Sequence, residues 1–99
     1  MSFVVTQPES LSGAAGDLQG IGSAVHAQSA AVAAPTTAMA APASDAVSMS
    51  IAALFNANGA LFQDVAAQAA AVHQMFVSTL NGGGMAYAST EAANAIAAG

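Results

Sequence analysis

His26 and His73 are the two imidazoles of a 99-residue chain that also carries ten serines and five carboxylates, Glu9, Asp17, Asp45, Asp64 and Glu91. Such residues could hold a metal, relay a proton or form a Ser-His-Asp nucleophile. Their spacing supports none of these. No G-x-S-x-G elbow presents a serine, and no zinc, EF-hand or P-loop spacing occurs. "GIG" at 20–22 falls inside a helical pattern rather than after a strand, so it carries no nucleotide-binding weight. Cysteine is absent, which removes disulfides, thiolate ligands and a cysteine nucleophile. One further pair stands out: Tyr87, the single tyrosine, and Glu91, the last acid, within "YASTE". Four residues apart on a helix, they share a face one turn apart. No catalytic, cofactor-binding or metal-ligating residue is expected, and the chain is read as a non-enzyme.

Charge narrows the partners. Lysine and arginine are absent and the formal net charge is −5. Phosphate neutralisation needs basic side chains, so nucleic acid is excluded as a partner, and so is a polybasic hold on anionic lipid. The uncharged runs 18–44 and 65–90 are broken by Gln, His, Ser, Thr or Asn, the first also by Pro35 and Pro42, so a spanning helix is not expected. The opening "MSFVVTQPES" has no positive n-region, so a general secretory leader is not expected either. Much of the 56% hydrophobic content is alanine, which leaves only a thin core for a single small domain.

Two helices account for the pattern. Thr6-Gln7-Pro8-Glu9 has the capping-box form, and proline suits a first turn. A helix is therefore predicted over about 7–34, with Leu11, Leu18, Val25 and Val32 seven apart and Ala14 and Ile21 between them. Glycines 13, 16, 20 and 22 weaken it by roughly 1 kcal/mol each. They make sense where another backbone approaches closely or a partner supplies the stability. "PTTAMAAP" reads as the connection, after which Ser44 or Asp45 offers an N-cap. The second helix is predicted over about 45–80 with two apolar stripes. One holds Val47, Ile51, Leu54, Leu61, Val65, Val72 and Met75; the other holds Phe55, Phe62 and Phe76. "NGGG" at 81–84 is expected to end it, and "MAYASTEAANAIAAG" to be a short helix or a tail.

An antiparallel hairpin with its loop centred near residue 40 pairs Leu18 with Phe62, and Val25 with Phe55 or Leu54. His26 then lies opposite residue 54 and His73 opposite residue 7, near Glu9. The two imidazoles are about 28 Å apart and share no metal. One helix can cover only one stripe of the other. The second stripe exposes large apolar side chains, the mark of an interaction face. The expected product is all-α, a two-helix hairpin completing a four-helix bundle with a second chain.

The opening "MSFVVTQPESL" with Pro8-Glu9, the Ala-rich hairpin, "AAPTTA", "SDAVS", "HQMFVSTL" and "YASTEAANAIAAG" together resemble a mycobacterial PE family protein over essentially the whole chain. Pro8 and Glu9 occupy the namesake motif. The resemblance implies an obligate heterodimer with a PPE protein, exported through a type VII (ESX) secretion system. A cytosolic EspG-type chaperone then binds through the PPE partner. It also implies an export signal of the form Y-x-x-x-[DE], matched by Tyr87 and Glu91, with a W-x-G turn of the partner nearby. "DLQGIG" and "MFVSTL" resemble members associated with the fifth ESX system.

On this basis residues 1–84 form the hairpin domain and 85–99 a secretion-signal tail. The partner interface is assigned to Leu54, Phe55, Leu61, Phe62, Val65, Val72, Phe76 and Leu80. The protein is expected in the cytoplasm with its chaperone before export, then secreted or at the cell surface or cell wall, with a role there or in host interaction. An alternative is a component of an outer-envelope solute-transport or permeability complex. A hydrolase is disfavoured because no additional enzymatic domain is present.

Overall fold

The structure, a computed structural model, describes residues 6–99; the "MSFVV" of the family-like opening lies outside them. Two α-helices account for nearly all the described residues, α1 (Pro8–Thr37) and α2 (Ala46–Ala98), and no strand occurs among them.

Local chemistry sets three of the four helix ends. Pro8 is the first residue of α1, where its missing N–H is not needed. The Gln7 carbonyl accepts from the amides of Ser10 and Leu11 at 3.0 and 3.4 Å, and the Gln7 Oε1 accepts from the Ser10 hydroxyl. Gln7 is therefore the cap. The Thr6 hydroxyl has no partner among the described residues, so the expected Thr6–Glu9 capping box is not formed. At the other end α1 runs past Pro35 to Thr37, beyond the expected Ala34. The Thr36 and Thr37 hydroxyls donate to the carbonyls of Val32 and Ala33 at 2.6 Å each, satisfying groups that a helix end leaves open. Asp45 caps α2: its carboxylate accepts from the Ser48 amide and the Ser48 hydroxyl, both at 2.9 Å.

The fourth end corrects the sequence reading. α2 does not stop near Leu80 but continues through Gly82, Gly83 and Gly84 to Ala98. A glycine stop needs a left-handed residue, and among the described residues positive φ occurs only at Gly99.

Contacts divide the described residues into two compact units, residues 23–71 and residues 6–22 with 72–99. In the 23–71 unit the two helices run antiparallel, with Gln63 Nε2 donating to the Ser29 carbonyl at 3.0 Å and Gly59 against the backbone of Thr36. The connection runs back along the first turns of α2. Asn56 holds Met39 there by both backbone groups, accepting from its N–H at 2.6 Å and donating to its carbonyl at 3.0 Å. The end of α1 thus sits beside Gly59, not at the start of α2, and the expected register is displaced. Val25 lines a hollow with Phe62, not with Phe55 or Leu54.

The other unit shows the same displacement. The Leu18 carbonyl meets His73, not Phe62, about three turns further along α2. His73 is therefore nowhere near its expected place opposite residue 7 and Glu9. Gly84 packs at the first turn of α1, against Pro8, Leu11 and Ser12.

The row of α2 that faces α1 is neither of the expected stripes. In the 23–71 unit it holds Ala52, Asn56, Gly59, Gln63 and Ala66; in the other it holds His73, Val77, Leu80 and Gly84. All are buried or half-buried. These positions alternate three and four apart, the spacing of a helix–helix seam. Small residues let backbones approach, and the longer polar ones reach across to carbonyls. Among the described residues the buried apolar ones are Ala15, Ala52 and Val77. Ordering a residue's backbone costs about 1–2 kcal/mol, and so small a core offers little against it.

Candidate interaction surface

Because α1 packs on the seam row, both large apolar stripes of α2 are left uncovered. In the 23–71 unit Leu54, Phe55, Leu61, Phe62 and Val65 are all exposed, Phe62 by 52% and Leu54 by 64%. They stand with Val47, Met49 and Ile51 from the same helix and Val25 and Val32 from α1. Two shallow apolar hollows lie among them. Val25, Val32 and Phe62 line one, and Val32, Met39, Phe55 and Phe62 line the other. Phe62 and Val32 are common to both.

In the second unit Val72, Met75 and Phe76 are exposed, whereas Leu80 is half-buried in the seam. Leu80 thus differs from the other seven residues assigned to the interface, since it already serves packing within the chain. Of the α1 stripe, Leu11 and Leu18 are half-buried and Ile21 is exposed.

Tyr87 and Glu91 lie on α2 itself, not on a tail beyond it. Both are exposed, Tyr87 by 51%. Helical backbone through Ala88, Ser89 and Thr90 places them one turn apart on one face, and the Thr90 hydroxyl donates to the Ala86 carbonyl at 2.9 Å. Pro8 is half-buried beside Gly84, and Glu9 is exposed in the first turn of α1, where a carboxylate complements the helix dipole.

The histidines divide. His26 is exposed, while His73 is half-buried with its Nε2 2.6 Å from the Leu18 carbonyl. Among the described residues no group of three or more His, Cys, Asp or Glu could hold a metal ion. None of their helices is long and apolar enough to cross a membrane. The Asp45 carboxyl is held below its ordinary range, chiefly by the Ser48 amide and then by the Ser48 hydroxyl. That is capping, not catalysis.

Sequence reasoning missed Asn56, Gly59 and Gln63 as a row in the one unit, and His73 and Gly84 in the other. Their signal was present in the alternation of three and four from Ala52 onward, but the larger side chains of the other two stripes masked it.

The family model described as "PE family" matches residues 4–94. The ubiquitin-binding protein Rv1468c of Mycobacterium tuberculosis is 53% identical over 94 residues, covering 95% of this chain and 25% of that protein. The uncharacterized PE-PGRS family protein PE_PGRS36 of the same species is 56% identical over 95 residues, covering 96% of this chain and 19% of that protein. PE_PGRS47, also from M. tuberculosis, is 52% identical over 93 residues, covering 94% and 18% respectively. The chain therefore spans between about a fifth and a quarter of the length of these curated relatives.

Proposed function

This chain belongs to the PE family, and from that premise we propose that it is a non-enzymatic interaction module that folds stably only with a PPE protein. The observation that carries the reading is the uncovered pair of apolar stripes on α2, from Leu54 and Phe55 to Val72 and Phe76. α1 packs on a third row, so a partner is free to cover both stripes. Two partner helices laid against them complete a four-helix bundle. The absence of lysine and arginine fits a contact that is apolar at its centre, and any cations at its rim come from the partner.

The second half of the proposal is export. Tyr87 and Glu91 match the Y-x-x-x-[DE] form. They stand exposed on α2, where a type VII secretion system can read them while an EspG-type chaperone holds the PPE chain. The pair then functions at the cell surface or outside the cell, with the fifth ESX system as the proposed route. The ubiquitin binding named for one relative is that protein's own, and this chain matches only a quarter of it.

Co-expression with candidate PPE chains, followed by size-exclusion chromatography, tests the first half. A stoichiometric complex is expected, and the chain alone is expected to be aggregated or largely unfolded by circular dichroism. A soluble monomer that melts cooperatively by itself would sink the partner dependence.

A further inference from the structure

We propose that Gly84 is a positioning residue that sets the first turn of α1 beside the Tyr87–Glu91 face, so that export machinery reads the two together. The inference rests on the export reading above and names a further part of the same surface. Val77, Leu80, Gly84, Tyr87 and Glu91 alternate three and four residues apart, so Tyr87 and Glu91 continue the row that faces α1. Within that row Val77 is 4% exposed and Gly84 is buried, whereas Tyr87, the next position, is open. The row emerges from the seam where α1 begins.

Gly84 makes that junction tight. A Cβ there would lie 3.2 Å from the Ser12 hydroxyl oxygen, 3.3 Å from the Pro8 carbonyl oxygen and 3.4 Å from the Leu11 Cβ. The first two spacings are closer than ordinary van der Waals contact by a few tenths of an ångström, and the second of these neighbours is backbone. The two preceding glycines differ: a Cβ on Gly82 or Gly83 meets nothing within 4 Å. Three adjacent glycines all weaken the helix, but only the third has packed neighbours at its Cβ position. A side chain at Gly84 pushes back the turn that begins with Pro8 and Glu9, and so reshapes the wall one step from Tyr87. A protein that docks on Tyr87 and Glu91 along this face meets that wall.

The test uses the heterodimer in cells. Gly84→Ala and Gly84→Val are compared with Gly82→Ala and Gly82→Val, which change helix propensity equally but fill open space. Export is measured per heterodimer recovered from lysate, with Tyr87→Ala as reference. Severalfold lower export is expected for Gly84→Ala, and background export for Gly84→Val. The Gly82 variants should export normally, and Ser12→Ala, which removes the nearest atom, should partly restore Gly84→Ala. Normal export of Gly84→Ala alongside a blocked Tyr87→Ala overturns the inference and leaves the export reading standing. Normal export of Tyr87→Ala defeats the export reading itself. Equal losses at Gly82 and Gly84, or a fall in heterodimer that matches the fall in export, also overturn it, because the glycine is then structural.

Discussion

The Nε2 of His73 lies 2.6 Å from the carbonyl oxygen of Leu18. A carbonyl can only accept, so Nε2 carries the hydrogen and the imidazole serves as a donor. Gln63 treats the Ser29 carbonyl in the same way. Each adds a bond to an oxygen with a second lone pair to offer. Such bonds form only when the facing backbones are close and in one register. The small residues beside these donors allow that approach. Directional bonds thus help to align helices whose mutual apolar contact is slight.

That close approach makes glycines of one chain respond oppositely to the same substitution. A Cβ on Gly59 would collide with the backbone carbonyl of Thr36, whereas one on Gly13 meets nothing. Gly59→Ala should destabilise the heterodimer by about 1–3 kcal/mol through overpacking. Gly13→Ala should stabilise it by about 0.5–1 kcal/mol through helix propensity. Denaturant melts of the two purified variants check the pair, and equal shifts of one sign would show that the Gly59 approach is not tight in solution.

Phe62 lies in both apolar hollows and is half exposed in the chain alone. If a PPE partner buries Phe62 as proposed, Phe62→Ala should cost about 3–5 kcal/mol of heterodimer stability. Phe62→Asp should give no complex on co-expression, since the carboxylate has no cation of this chain to pair with. Pull-down yields read the result. Normal recovery of the Asp variant means that the partner lies on another face.

The helix starts were legible because their chemistry is local: Pro8 suits a first turn, and Asp45 reaches the Ser48 amide three residues on. The cap at Gln7 was less so, because Thr6 and Glu9 offered an equally good local pattern. The register was not legible. It depends on Asn56 gripping Met39 and on Gly59 meeting Thr36, contacts across 17 and 23 positions. The apolar stripes were visible as stripes, but size was mistaken for a claim on the nearest neighbour. Alanine, glycine and three polar residues, with Val77 and Leu80, held that place instead. The glycine triplet misled for a related reason. A penalty of about 1 kcal/mol per glycine does not end a helix that packs at Leu80, just before the triplet, and at Gly84 within it. The spacing of Tyr87 and Glu91 was legible, but the role proposed for them comes from the family resemblance, and their place on α2 needed the structure.

Asp45 gives α2 a pH dependence of known sign. Its folded pKa lies below the ordinary aspartate value because the Ser48 amide and hydroxyl bond the ionised form. The stabilisation is therefore complete above the unfolded carboxylate range and is lost as pH falls through the lower folded value. Asp45→Asn keeps an acceptor without a charge and should flatten this part of the acid response, while Asp45→Ala should weaken the helix start at all pH values. Acid titration of heterodimer helicity by circular dichroism distinguishes the three proteins. Identical acid curves for wild type and Asp45→Asn would remove Asp45 from the account.

The final prediction separates a helical signal from a linear one. Tyr87 and Glu91 stand on unbroken α2, one turn apart on a single face. If the face is read, the helix between them matters as much as the two side chains. Ser89→Pro tests this, because it keeps Tyr87, Glu91 and their spacing while breaking the helix. Proline there removes a main-chain hydrogen bond and clashes with the Met85 carbonyl, at about 3 kcal/mol in a helix interior. The affected residues are exposed and lie past the start of α1, so heterodimer yield should not change. Export should fall about as far as for Tyr87→Ala or Glu91→Ala. Ser89→Ala, a good helix former, should export normally. Undiminished export of Ser89→Pro, with Tyr87→Ala blocked, would mean that the receptor reads an extended segment and that α2 merely delivers it.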